Sequence, residues 1–171
     1  SKKCLTGTDR IAEVSKKIKK KFYINVQGDE PICNPKDIKK IVNFSKKHPN
    51  LIVNGYTEIN DKKMFNSPNV PKVVFDKNEK LLFMSRSPIP SNKKRRFIKA
   101  WRQVCIYSFP YKSLKIYTSV KKKTPLESIE DLESNRFLEL GYKVKMLKMS
   151  NKSVAVDTKE DLVKVKKLVK D

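Results

Sequence analysis

The sequence is short of several residue types, and each shortage excludes a class of protein. Its three cysteines are widely spaced and form no C-x-x-C pair, which argues against a disulfide framework or a zinc site and favours a reducing cytoplasm. No apolar run approaches the ~20 residues of a membrane-spanning helix, so we expect no membrane segment. The first residues contain no apolar signal-peptide core, so nothing indicates secretion. The 171 residues, 38% of them hydrophobic, suffice for one globular domain.

Acidic residues are also scarce, with 18 against 40 basic residues and a net charge of +22. Most of the basic residues are lysines in helix-like stretches, where they form a solvated face, so we expect no specific nucleic-acid role. A non-catalytic basic module that binds nucleic acid remains the alternative. Residues 91–123 carry eleven basic side chains and no acid. This stretch is either a solvated loop and helix or a positive rim that steers an anionic substrate.

Hydrophobic periodicity predicts alternating strands and helices, the pattern of an α/β fold with parallel strands. The strands are expected at residues 22–26, 51–56, 70–76, 81–85, 104–109, 142–149 and 153–156. The helices are expected from an N-cap at Thr8 and at residues 35–47, 110–117, 125–140 and 159–169. We therefore predict a single α/β domain over residues 1–171 with a β-rich insertion at about 66–109.

Two acidic residues each follow an apolar strand, Asp29 after residues 23–28 and Asp157 after residues 154–156. In open α/β sheets ligands bind beyond the carboxyl ends of the strands, so these carboxylates are candidates to meet there and hold Mg²⁺. The alternative is that Asp29 stabilises a turn and Asp157 caps the last helix.

Six strings occur in order along nearly the whole chain: TGTDRIAEV (6–14), NVQGDEP (25–31), SRSPIP (85–90), QVCIYSF (103–109), LESIEDLESNRFLELG (126–141) and VDTKEDL (156–162). Together they resemble the 3-deoxy-manno-octulosonate (Kdo) cytidylyltransferase family. The resemblance implies a Rossmann-like nucleotide-diphospho-sugar transferase sheet with a β-rich dimerisation subdomain. It also implies a reaction in which CTP activates Kdo or a Kdo-like 2-keto sugar acid, giving the CMP-sugar and pyrophosphate for lipopolysaccharide biosynthesis.

The resemblance implies roles for residues that match the family's motifs. Asp29 and Asp157 match ligands of Mg²⁺, and with Arg86 they form the expected catalytic set. The expected sugar-acid contacts are Gln27, Arg86, Gln103, Tyr107 and Glu133. The expected nucleotide contacts are Gly7, Asp9 and Arg10. A cytoplasmic homodimer is implied, with residues 91–109 and the following helix at the interface.

The chain departs from the family pattern in two ways. Nothing matches the family's first βα unit, which holds the CTP phosphates, so we expect this chain to be inactive alone. Gln103 stands where the family commonly has His, Cys105 replaces a Gly, and Ser134 stands where Gln is common. Because these positions lie in the implied sugar site, they leave three acceptors open: Kdo itself, a Kdo variant such as an amino-substituted one, or another 2-keto sugar acid.

Overall fold

A computed structural model describes residues 4–156 and 158–170. The strands are β1 Phe22–Val26, β2 Ile52–Glu58, β3 Lys72–Phe75, β4 Leu81–Ser85, β5 Trp101–Pro110 and β6 Val144–Lys148. The helices are α1 Gly7–Lys17, α2 Pro35–Lys47, α3 Lys62–Asn66, α4 Tyr111–Tyr117, α5 Pro125–Glu130, α6 Glu133–Glu139 and α7 Lys159–Lys170. The alternation confirms the α/β class.

The six strands form one open sheet in the order β4-β3-β5-β2-β6, with β1 also paired to β5. Among the strands of the described residues, β2 and β6 alone pair in parallel, and the other pairs are antiparallel. The expected parallel neighbours β1 and β2 do run in the same direction, but β5 lies between them and runs the opposite way. The long strand that returns from the β3–β4 hairpin therefore converts a parallel arrangement into a mostly antiparallel sheet.

One edge of β5 creates the space for a site. β2 pairs along nearly all of β5, while β3 pairs only with Trp101 and Arg102 and β1 only with 106–110. Since β2 occupies one edge, β3 and β1 share the other edge at its two ends. In the gap between β3 and β1, residues 103–105 pair with no strand of the described chain on that edge. Gln103 N–H instead donates to Pro71 O, and Cys105 O accepts a hydrogen bond from Gln27 N–H.

Helices cover both faces of the sheet, and β5 alternates between the two cores. Tyr107 and Phe109 pack with residues of α1, α4 and α6 in the larger core, while Val104 and Ile106 pack with Ile41 of α2 on the opposite face. This alternation is the period of two expected of a strand buried on both sides.

Three expectations for local structure were wrong. The N-cap of α1 is Thr6 rather than Thr8, because Thr6 and Asp9 form a reciprocal capping box. Residues 153–156 form no regular strand. The single helix expected at 125–140 is two helices, separated at Asp131, which adopts a left-handed φ of 51°.

The break between α5 and α6 follows from tertiary contacts. Arg86 donates hydrogen bonds to the carbonyl oxygens of Glu130 and Asp131, and Lys123 forms an ion pair with the Asp131 carboxylate. These partners stabilise a bend that the apolar periodicity does not reveal. Ile129, an apolar residue of α5, is 79% exposed.

Candidate active site

The gap beside β5 opens into a cavity of about 810 Å³. Its walls come from the β1–α2 turn, the segment 61–71, β5, the α5–α6 bend and the segment 151–161. All five predicted sugar-acid residues and Asp29 line this cavity: Gln27, Asp29, Arg86, Gln103, Tyr107 and Glu133. Residues separated by more than 100 positions in the sequence are thus brought to one cavity.

Asp29 lies in the turn that follows β1, with an exposed side chain on the cavity wall. Its carbonyl oxygen accepts a 2.8 Å hydrogen bond from the backbone N–H of Val156. The segment that precedes α7 therefore lies against the end of the β1 turn. Asp157, the other predicted metal ligand, lies outside the described residues.

Arg86 follows β4, and backbone carbonyl groups hold its guanidinium in place. It donates from Nε to Glu130 O at 2.7 Å, from one terminal nitrogen to Pro68 O at 2.9 Å and from the other to Asp131 O at 3.3 Å. A guanidinium has five N–H groups, so two are not used by these carbonyls. One terminal nitrogen also lies 4.0 Å from a carboxylate oxygen of Asp131. The backbone N–H of Arg86 donates to the Glu130 carboxylate, which fixes the residue further.

Glu133 occupies the N-terminus of α1. Its Oε1 accepts the backbone N–H of Gly7 at 2.9 Å, and its Oε2 accepts the backbone N–H and the hydroxyl of Thr8. A carboxylate is favourable here because the first N–H groups of a helix have no helical partner and carry partial positive charge. The bend at Asp131 is what starts α6 at Glu133 and allows this contact.

Gln103 and Tyr107 are both buried and hydrogen-bonded to each other, with 2.6 Å between Gln103 Nε2 and the Tyr107 hydroxyl oxygen. Burial raises the pKa of the Tyr107 phenol well above its usual value, so this side chain is neutral near neutral pH.

The three predicted nucleotide residues do not line the cavity. Gly7 and Arg10 line a second, smaller hollow of about 340 Å³, which also includes Glu133. The Asp9 carboxylate contacts other protein groups instead. It accepts hydrogen bonds from Thr6 and forms an ion pair with the buried Arg136 at 3.5 Å.

Three polar residues that shape the cavity region were not predicted from the sequence: Glu30, Asn54 and Arg102. Glu30 Oε1 accepts the backbone N–H of Cys105 at 2.9 Å, and burial raises its carboxyl pKa. Arg102 is buried and donates to Ser153 O at 2.9 Å. Only Glu30 carried a signal in the sequence, since it stands in the NVQGDEP string.

The basic stretch 91–123 does not form a uniform charged surface. Lys93, Lys94, Arg95 and Arg96 are exposed in the loop before β5, whereas Arg102 is buried and contacts the segment before α7. Both interpretations of the exposed lysines, a solvated loop and a rim that steers anions, stay predictions.

Within residues 4–156 and 158–170, no group of three or more His, Cys, Asp or Glu side chains is arranged to hold a metal ion. Nor does that part of the chain contain a helix long and apolar enough to cross a membrane.

The fold is that of a nucleotidyltransferase. A structure of CMP:2-keto-3-deoxy-manno-octonic acid synthetase complexed with CTP superposes with a TM-score of 0.86 at 29% identity, over 97% of this chain and 68% of that one. A glucose-1-phosphate thymidylyltransferase from Bacillus anthracis, 15% identical, shares the fold with a TM-score of 0.65 over 97% of this chain and 61% of its own.

The sequence comparisons define the family. The family described as cytidylyltransferase matches residues 1–159. A 3-deoxy-manno-octulosonate cytidylyltransferase from Fusobacterium nucleatum is 36% identical over all of this chain and 70% of its own length. Another from Chloroherpeton thalassium is 37% identical over 96% of this chain and 68% of its own length. The chain belongs to the cytidylyltransferase family, among the 3-deoxy-manno-octulosonate cytidylyltransferases.

Proposed function

We propose that the protein transfers CMP from CTP to Kdo or a Kdo-like 2-keto sugar acid, with release of pyrophosphate, in lipopolysaccharide biosynthesis. In this reaction the anomeric hydroxyl attacks the α-phosphorus and loses its proton, while the bond between the α- and β-phosphates breaks. The observation that carries the proposal is the single cavity lined by Asp29 and the five predicted sugar-acid residues. Their contacts suit an anionic, hydroxyl-rich acceptor.

Arg86 is suited to the sugar-acid carboxylate. A guanidinium stays charged at all physiological pH values and pairs with a carboxylate through two parallel hydrogen bonds. The three backbone carbonyls that hold Arg86 fix the direction of its two remaining N–H groups. A rigid cation lowers the entropy cost of binding the acceptor in one orientation.

Glu133 is suited to a sugar hydroxyl. Each carboxylate oxygen accepts about two hydrogen bonds, so Oε1, which already accepts from Gly7, retains acceptor capacity. The hydrogen bonds to α1 keep the carboxylate in place and stabilise its negative charge.

Mg²⁺ is proposed as the cofactor, with Asp29 and Asp157 as its protein ligands. The chemistry fits, because hard carboxylate oxygens suit Mg²⁺, which typically takes one or two of them together with phosphates and water. The exposed Asp29 side chain on the cavity wall and the pairing of Val156 with Asp29 support this assignment. When bound, the ion would neutralise the triphosphate and help ionise the attacking hydroxyl.

The test is pyrophosphate release by the purified full-length gene product with CTP, Mg²⁺ and a panel of 2-keto sugar acids. We expect release that requires both CTP and a Kdo-like acid. Because Gln103, Cys105 and Ser134 depart from the family pattern, the panel includes amino-substituted Kdo. Equal rates with acids unrelated to Kdo, or no release with any acid, would overturn the proposal. A cytoplasmic location and a homodimer are part of it, and gel filtration tests the dimer.

A further inference from the structure

Asn54 lies at an irregularity in the pairing of β2 with β5. Asn54 is opposite Tyr107, yet the next residue, Gly55, is opposite Val104, so the register skips residues 105 and 106. The fully buried Asn54 side chain satisfies the carbonyl groups at this bulge: its Nδ2 donates to Val104 O at 3.1 Å and to Ile106 O at 3.2 Å.

The bulge leaves little room for rearrangement. A Cβ added to Gly55 would lie 3.2 Å from Val104 O and 3.0 Å from Met149 Cγ, so any larger residue here would require these neighbours to shift by a few tenths of an ångström. Asn54 is therefore held between closely packed strands.

The contacts of Asn54 determine which group donates and which accepts in the hydrogen bonds that link Asn54, Gln103 and Tyr107. Carbonyl oxygens only accept, so the Asn54 amide nitrogen must face them and its Oδ1 must point the other way. Gln103 Nε2 donates to this Oδ1 at 3.0 Å. The second N–H of the same Gln103 amide is directed to the Tyr107 hydroxyl oxygen at 2.6 Å.

The Tyr107 hydroxyl oxygen therefore accepts a hydrogen bond from Gln103, and its own proton can be donated to another group. Tyr107 lines the cavity, and burial favours the neutral phenol, which keeps that proton. The amide side chains of Asn54 and Gln103 do not titrate near neutral pH, so the donor and the acceptor of each hydrogen bond stay the same throughout that range.

We propose that Asn54, acting through Gln103, makes the Tyr107 hydroxyl a fixed hydrogen-bond donor toward an acceptor oxygen of the sugar acid. Asn54 is a positioning residue, and Tyr107 is the residue that touches the substrate. This inference rests on the proposed function for the identity of the ligand, but the polarity of the three side chains is a property of the protein itself.

The first experiment is a double-mutant cycle on the KM for the sugar acid. Gln103→Glu replaces the donating NH2 group by an acceptor of the same shape, so the Tyr107 proton turns toward residue 103 and away from the cavity. We expect the KM to rise by about 3- to 10-fold, the usual effect of losing one hydrogen bond. In a Tyr107→Phe background the same change should alter the KM by no more than about 2-fold, because coupled residues are not additive.

An equal rise in both backgrounds would overturn the proposal, since it would reflect only repulsion between the new carboxylate and the anionic substrate. If Gln103→Glu fails to fold, Gln103→Leu serves instead. Leucine leaves the Tyr107 hydroxyl free to rotate, whereas glutamate would turn its proton toward residue 103. That variant should give a smaller rise in KM, again abolished by Tyr107→Phe. The KM for CTP should be unchanged in all four proteins.

The second experiment does not depend on activity. The ¹³Cζ resonance of Tyr107, assigned with Tyr107→Phe in protein labelled at tyrosine Cζ, reports the hydrogen bonding of the phenol. Asn54→Leu should shift it, because Gln103 then loses the acceptor that orients its amide. The control is Asn69→Leu, at an exposed asparagine on the same cavity. An unchanged resonance in Asn54→Leu overturns the positioning role even if the protein has no activity on any sugar acid.

Discussion

The backbone N–H of Val156 donates a 2.8 Å hydrogen bond to the carbonyl oxygen of Asp29, although 127 positions separate the two residues. This contact joins the segment before α7 to the turn after β1. It is the structural basis on which we expect Asp29 and Asp157 to share one cation, since Asp157 follows Val156 directly in the sequence.

If Asp29 and Asp157 are the ligands of Mg²⁺, Asp29→Asn and Asp157→Asn should each lower kcat by about 100-fold or more, because even partners of metal ligands account for 10–100-fold. Asp29 is exposed, so its variant should unfold at the same temperature as the wild type. Pyrophosphate release over a Mg²⁺ titration measures the effect. Glu58→Gln, which changes an exposed carboxylate away from the cavity, is the matched control. Full activity of either Asp variant would remove that residue from the metal site.

The variant Arg86→Lys should show whether position 86 needs only a positive charge or also the planar hydrogen-bonding pattern of a guanidinium. Lysine keeps the positive charge but cannot donate to three carbonyl oxygens in the fixed pattern of a guanidinium. We expect the free energy of unfolding to fall by about 0.5–1.5 kcal/mol, because these partly exposed carbonyl oxygens lose one or more donors but can still bind water. The KM for the sugar acid should rise while the KM for CTP does not. A change in neither stability nor sugar-acid KM would show that charge alone matters at this position.

Much of the fold was predictable from local signals. The strand at 22–26 and the helix at 35–47 with Pro35 in its first turn have the expected bounds, because periodicity and capping residues specify them locally. The N-cap of α1 was predictable in principle, since Thr6 and Asp9 have the spacing of a capping box. Thr6 and Thr8 are both possible N-caps, and the sequence-based prediction chose Thr8, which was wrong.

The missed features depend on contacts between distant segments. The bend at Asp131 requires Arg86 and Lys123, which stand 45 and 8 positions away. The importance of Asn54 depends on the skipped register with β5, which no pattern within β2 reveals. The cavity residues themselves were found through motif resemblance. Their convergence depends on β3 and β1 sharing one edge of β5, which is a property of the assembled sheet.

The left-handed conformation of Asp131 should make this position sensitive to side-chain shape. Asp131→Val should destabilise the protein by about 1–2 kcal/mol, because a left-handed backbone crowds a β-branched side chain. Asp131→Gly should be less harmful, since glycine adopts positive φ readily and loses only the partly exposed ion pairs with Lys123 and Arg86. Denaturant unfolding of the two variants gives the comparison. If valine is tolerated as well as glycine, the bend is not held in the left-handed region.

Removing one partner of the buried ion pair between Arg136 and Glu127 should strongly destabilise the protein. Both side chains are almost completely buried, with 2.5 Å between Arg136 Nε and Glu127 Oε2, and Arg136 also lies over the Tyr117 ring. Glu127→Ala should lower the free energy of unfolding by about 3–5 kcal/mol, because it leaves a buried guanidinium with too few partners. Ile129→Ala, at an exposed site two positions away, should change it by no more than about 0.5 kcal/mol. Equal effects of the two variants would contradict this account.

Lys72 should make the free energy of unfolding depend on pH in the alkaline range. Its side chain is fully buried and donates to the carbonyl oxygens of Ser67 and Arg86, and burial, together with the nearby Arg86 charge, lowers its pKa to about 8. In the unfolded chain the pKa returns to its ordinary value near 10.5, so between about pH 8 and 10.5 the unfolded state binds more protons than the folded state. Stability from this group therefore rises with pH in that window, with a slope of at most about 1.4 kcal/mol per pH unit.

The measurement is denaturant unfolding of the wild type and Lys72→Met at several pH values from 7 to 10.5. Lys72→Met has no group to titrate, so the difference between the two proteins isolates this lysine from the other ionisable groups. The neutral amine keeps two N–H groups, enough to retain both carbonyl contacts after the proton is lost. We therefore expect the wild type to gain stability relative to Lys72→Met as the pH rises above 8. A constant difference over the whole range would mean that Lys72 keeps an ordinary pKa in the folded protein.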